Sequence, residues 1–163
     1  MILKRKSLNI SYTECESLLE LEPCEQKLIE VASNVAQNAY APYSAFMVGA
    51  ALLLSNGVIV KGANVENAAF PSGICAEQNA IAAAVSNYPS EKPVALAIAA
   101  YTSDGLTAEP VSPCGKCRQV IAEEEAKNRN EIKIILYGKN KIIIIEGVKN
   151  LLPIQFNKTN IIR

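Results

Sequence analysis

The stretch GICAEQNAIAAAV, residues 73–85, sets a cysteine and a glutamate two positions apart at the head of an alanine-rich run. Its companion, SPCGKCRQVIAEE at residues 112–124, sets two cysteines three apart at the head of a second run. Gly73 and Pro113 punctuate the chain just before them. The spacing predicts helices from Cys75 to about Ser86 and from Cys114 to about Lys127, so Cys75 and Cys114 each fall at a first turn. Around these helices lie apolar runs of strand length, at residues 46–54, 58–65, 94–101, 132–137 and 141–148. Most are continuously apolar, the pattern of strands covered on both faces. Ser55-Asn56-Gly57 predicts a hairpin turn between the first two, and Gly138-Lys139-Asn140 a turn or break between the last two. A helix is expected over residues 23–40, opened by Pro23 and stopped by Pro42, with Leu28, Val31, Ala32, Val35 and Ala39 at helical spacing. Alternation of Leu8, Ile10 and Tyr12 predicts a short strand over residues 7–12. Strands with helices interposed give an α/β fold with helices on both faces of the sheet.

Size and composition narrow the partners. The 163 residues suit one domain, and half of them are hydrophobic, enough for a core. Lys plus Arg and Asp plus Glu are 16 each, a balance that argues against a nucleic-acid partner and favours a small molecule. The basic start, MILKRKSLNISY, lacks the apolar stretch of a secretory signal, and no run reaches the ~18 residues of a membrane span. A cytoplasmic protein is expected, with its thiols reduced. Of the five cysteines, Cys15 and Cys24 lie far from the two motifs and read as bystanders.

The chain contains no histidine, which restricts the chemistry of the motifs. A helix N-terminus carries about half a positive charge and spare N–H groups, so cysteines there ionise readily. Cys114 and Cys117 project from one face, and Cys75 adds a third sulfur from another helix. Three protein ligands and an open fourth position is the pattern of catalytic zinc, with water at the open corner. Glu77 is then the proton carrier in place of an imidazole. Alone, a Cys-x-x-Cys could equally be a redox pair or half of a structural zinc site. Joined to the Cys-Ala-Glu, it is the signature of zinc nucleobase deaminases.

On these blocks the chain resembles the cytidine deaminases of pyrimidine salvage, in their three-cysteine form. AYAPYSAFMVGAALL (39–53) is similar to the family's opening block and GANVENAAF (62–70) to its ribose-binding segment. SGICAEQNAI and SPCGKCRQVIAE resemble the two zinc helices, and LLPIQF (151–156) resembles the C-terminal block. The resemblance spans roughly Leu28 to Phe156. It implies a three-layer α/β/α sandwich on a mixed, roughly five-stranded sheet over residues 23–163, preceded by an extension over 1–22. It implies Zn2+ on Cys75, Cys114 and Cys117, with Glu77 moving protons to the ring nitrogen N3 and the departing amine. Further implied are the Ala76 N–H on the pyrimidine O2 side, the Ser112 carbonyl near the leaving ammonia, Phe46 against the base, and Asn64 and Glu66 on the ribose 3′-hydroxyl. Phe156 resembles an aromatic that enters a neighbouring subunit's site in a homotetramer.

One departure stands beside the intact ligand set. The family's usual arginine after the catalytic glutamate is Gln78 here. Three thiolates against Zn2+ leave a net negative charge that glutamine does not offset, so retuned electrostatics are expected, with Lys116 or Arg118 as nearby cations. Phe70 and Asn79 stand where Tyr and Thr are frequent. Two other readings remain at this point: a non-catalytic deaminase-like zinc module, and a deaminase of a related nucleoside such as a blasticidin-type antibiotic. Against the second, the Asn-Val-Glu-Asn segment is one that blasticidin deaminases lack.

Overall fold

A computed structural model of the chain describes residues 3–161. Its elements run β1 (Thr13–Cys15), α1 (Pro23–Ala36), β2 (Met47–Leu54), β3 (Ile59–Ala63), α2 (Ala76–Asn87), β4 (Pro93–Thr102), β5 (Gly105–Leu106), α3 (Gly115–Asn128), β6 (Lys133–Tyr137) and β7 (Ile142–Glu146). All five expected runs are strands, in one sheet of order β1-β7-β6-β4-β2-β3. The sheet has seven strands rather than five because two short ones join its margins. β1 pairs with β7 and the two-residue β5 with β4. It is mixed, β4 and β6 being parallel and the other pairs antiparallel.

Period-two alternation sorts the central strands into two cores. Ala50, Leu52 and Leu54 of β2 join Leu96 and Ile98 of β4 on the face covered by α2 and α3. Ala51, Ala95, Ala97 and Ala99 face the other way, with Leu28, Ile29 and Ala32 of α1. The layers are therefore α1, sheet, and α2 with α3. Each large aliphatic side chain so buried contributes about 1.5–3 kcal/mol. Close approach of the helices depends on two glycines. A Cβ at Gly49 would come to 2.6 Å from Ala36 N of α1, and one at Gly62 to 2.5 Å from Ala80 N of α2.

The hairpin at Ser55-Asn56-Gly57 forms as expected, with Gly57 at φ 84°. Gly138-Lys139-Asn140 turns between antiparallel neighbours, Gly138 N–H donating to Lys141 O at 3.1 Å. Two expectations are corrected. α1 ends at Ala36 rather than residue 40, because Tyr40 must extend to bridge Val65, taking Asn64 O and giving its own carbonyl to the Glu66 N–H. The first strand lies at Thr13–Cys15, not at residues 7–12, where Leu8, Ile10 and Tyr12 are exposed. No helix among the described residues is long and apolar enough to cross a membrane.

Candidate active site

Helices α2 and α3 each begin on a cysteine. Cys75 is the N-cap of α2 and Cys114 that of α3, and neither side chain makes a standard capping hydrogen bond. Both thiols are thus left to face one another across the inter-helix gap, with 3.9 Å between their sulfurs. Cys117, one turn into α3 and buried, brings its sulfur to 3.5 Å from that of Cys114. All three sulfurs lie within 4.8 Å of one another. Tetrahedral Zn–S bonds of about 2.3 Å would set sulfurs roughly 3.8 Å apart, so the triangle fits a zinc ion.

Electrostatics give the same answer. Burial, followed by the bond from Cys117 and the nearby Glu77 carboxylate, acts on Cys75, whose thiol is raised above its ordinary value. Burial and the Glu77 charge push the Cys117 thiol far up. At Cys114 burial opposes ionisation, but the Cys117 backbone N–H and the neighbouring thiols outweigh it and bring the thiol below its ordinary value. A divalent cation among the three sulfurs would supply the positive charge that favours their thiolate forms.

A cavity of about 440 Å3 opens over this triangle. Phe46, Asn64, Glu66, Ala76, Glu77 and Ser112 all line it, together with Cys75 and Cys114. Eight of the residues singled out in the sequence thus converge on one space, although they come from four stretches of chain. Glu77 is buried, and that burial raises its carboxyl above the usual range. Burial of this kind favours the protonated form relative to an exposed carboxylate.

Asn64 and Glu66 have partners that the sequence does not announce. Asn64 accepts from Val48 N–H at 2.7 Å and donates to the Phe46 carbonyl at 2.9 Å, pinning the start of β2. The Glu66 carboxylate accepts from Tyr43 N–H at 2.8 Å, from Ser44 N–H at 3.3 Å and from the Ser44 hydroxyl. The Ser44 hydroxyl and the Tyr43 amide hold the Glu66 carboxyl below its usual range. Tyr43 packs edge-on against Phe70, and both line the cavity. Ser44 and Tyr43 received no role from the sequence. Their only signal there is position, in a short Pro-containing loop ahead of a strand.

Three other residues lie off the cavity. Gln78 is half-buried on α2 beside Glu77. Arg118 is held at the first turn of α3, beside the residues that precede Cys114. Its Nε donates to Pro113 O at 2.8 Å, one Nη to Leu151 O at 2.9 Å and the other to the Ser112 hydroxyl at 3.0 Å. Phe156 is 61% exposed, its carbonyl taking a bond from the Gln119 amide at 2.8 Å.

Residues 22–130 match the family model described as the cytidine and deoxycytidylate deaminase zinc-binding region. A cytidine deaminase of Halalkalibacterium halodurans is 46% identical over 98 residues, which are 60% of this chain and 70% of the relative. A probable cytidine deaminase of Dictyostelium discoideum is 37% identical over 144 residues, 88% of each chain. Among solved structures, the cytidine deaminase of Burkholderia pseudomallei superposes with a TM-score of 0.68 at 34% identity, covering 80% of this chain and 97% of its own.

Proposed function

The chain belongs to the cytidine and deoxycytidylate deaminase family, and from that membership we propose that it is an enzyme converting cytidine and 2′-deoxycytidine to uridine and 2′-deoxyuridine with release of ammonia. One observation carries this reading: a sulfur triangle spaced for zinc opens into a cavity walled by a buried carboxyl and large enough for a nucleoside.

Cys75, Cys114 and Cys117 would hold the ion, which when bound supplies Lewis acidity and an acidified water at neutral pH. Glu77 is the proton carrier. It sits at the second helical position of α2, on the cavity wall, and its raised carboxyl suits it to take a proton and return it to the pyrimidine N3 and then to the departing amine. The Ala76 N–H, at the first position of α2, is a helix-start donor for the pyrimidine O2. Phe46 offers a ring face to the base, and the Ser112 carbonyl an acceptor for the leaving ammonia. Asn64 and Glu66 take the sugar at its 3′-hydroxyl. Each keeps acceptor or donor capacity after its bonds to the loop.

In this reading residues 23–163 carry the chemistry and residues 1–22 are an extension. The enzyme serves pyrimidine salvage in the cytoplasm as a homotetramer, with the exposed Phe156 ring reaching a neighbouring subunit's cavity and Gln78 retuning the charge around the sulfurs. The test is a purified, reduced protein assayed for zinc and for the absorbance change of cytidine turning to uridine, with and without chelator. Stoichiometric zinc with chelator-sensitive turnover is expected, and Glu77→Gln should keep zinc but lose about 10²–10⁴-fold in rate. A zinc-loaded protein without turnover would instead make it a non-catalytic zinc module.

A further inference from the structure

We propose that Ser44 is a positioning residue that couples the sugar end of the cavity to its base end, an inference that rests on the nucleoside reading above. Its hydroxyl donates to Glu66 Oε1 and accepts from the Phe46 backbone N–H at 3.1 Å. One small group therefore joins the carboxylate assigned to the sugar hydroxyl with the backbone of the ring assigned to the base.

The local backbone makes that bridge possible. Ala45, between them, has φ 54°, in the left-handed region that a side-chain-bearing residue rarely adopts. That turn folds the Phe46 amide back onto the side chain of residue 44. A strained residue persists only where its surroundings over-determine it. Here Ala45 N–H bonds Ala41 O at 3.0 Å, Glu66 holds both amides ahead of it, and Asn64 holds Phe46 and Val48 behind it. The consequence is cooperative. A sugar hydroxyl that binds Glu66 meets a carboxylate already aimed by Ser44, and the same Ser44 fixes where the Phe46 ring stands. Discrimination for an intact sugar then comes from the preorganised loop as well as from the carboxylate.

The experiment compares two substrates, cytidine and 2′,3′-dideoxycytidine, which lacks the hydroxyl Glu66 would bind. Ser44→Ala should raise KM for cytidine about tenfold with kcat within about twofold, the scale of one hydrogen bond to a charged group. On dideoxycytidine, which keeps only the contact with the Phe46 ring, the same substitution should raise KM by a smaller factor, about threefold, and Ser44→Thr should restore most of the loss on cytidine. Equal losses on both substrates, or none on cytidine, would overturn the coupling. A second measurement needs neither turnover nor that variant. Amide exchange at Phe46 in the substrate-free protein should accelerate in Glu66→Ala, and an unchanged rate there also overturns the proposal. Absence of cytidine turnover in the unaltered protein would count against the deaminase reading alone, with the exchange measurement still deciding the role of Ser44.

Discussion

Arg118 donates to the Leu151 carbonyl at 2.9 Å, binding the first turn of α3 to a segment beyond the last strand. The same planar head holds Pro113 O and the Ser112 hydroxyl, the two residues that precede the Cys114 ligand. A lysine cannot reproduce three donors in a fork. Arg118→Ala is therefore expected to cost roughly 2–3 kcal/mol, because two carbonyls lose charged donors. It should also speed zinc loss to a chromophoric chelator, since the loop ahead of Cys114 is freed. Arg118→Lys should recover less than half of the stability. Denaturant unfolding alongside zinc release measures both, and a stability loss with unchanged zinc release would confine Arg118 to packing.

Gly49 and Gly62 make mirror-image contacts on opposite faces of the sheet, one against α1 and the other against α2. Both would press a new methyl into helix backbone, which cannot rotate away, so each alanine variant should lose about 3 kcal/mol. Their effects on the site should differ. Gly62 lies under Ala76 and Ala80, so Gly62→Ala shifts the start of α2 that carries Cys75 and Glu77. Gly49→Ala moves α1, which carries no ligand. At a temperature where both remain folded, zinc affinity should fall in Gly62→Ala and hold in Gly49→Ala.

The contrast between these residues also explains what the sequence could tell. Strands such as β2 and β4 are legible because burial on both faces leaves long apolar runs, and the three-cysteine cluster is legible because its spacing is set by helix starts. β1 is not: its three residues carry no period, and its place depends on the reach of β7, 127 positions on, where Lys141 meets Glu14. Alternation at Leu8, Ile10 and Tyr12 pointed to the wrong hexamer because no partner strand lies opposite it. The site shows the same division. Cys75 and Glu77 stand out by residue type and spacing, and Asn64 and Glu66 only through the family block they sit in, whereas the left-handed Ala45 and the Ser44 bridge depend on contacts 16 to 23 residues away.

Glu125 gives a pH dependence of stability. Burial raises its carboxyl above the usual range, even though Ile132 and Val148 amides donate to it. The folded state then binds a proton more readily than the unfolded one between the ordinary carboxylate value and the raised one. In that window stability falls as pH rises, and above the raised value the loss is complete. Both amides bond the same oxygen, Oε1, so Glu125→Gln can keep both bonds without the buried charge. The variant should be more stable than the parent at pH 8, by no more than about 1 kcal/mol after solvent screening, and the gap should close toward pH 4. Urea midpoints across that range measure it. A gap that widens on acidification would show that the carboxylate form is the one the fold prefers.

The segment ahead of α1 divides energetically at residue 12. Leu8, Ile10 and Tyr12 are exposed, and removing residues 1–12 should change stability by less than about 0.5 kcal/mol. Cys15 and Leu21, in contrast, are 7% and 6% exposed and pack in the core beneath α1. Ser17 and Glu20 close a capping box between them that fixes the chain's path. Removing residues 1–22 therefore strips a β7 partner and two core side chains, and should cost roughly 2–4 kcal/mol. It also bares the β7 edge to self-association. None of these residues lines the cavity, so kcat/KM per folded molecule should stay within about twofold in either truncation. Unfolding curves and light scattering on the two truncations separate the outcomes. Equal stability of both would mean that β1 adds nothing to the sheet, and residues 13–22 would then be as dispensable as the twelve before them.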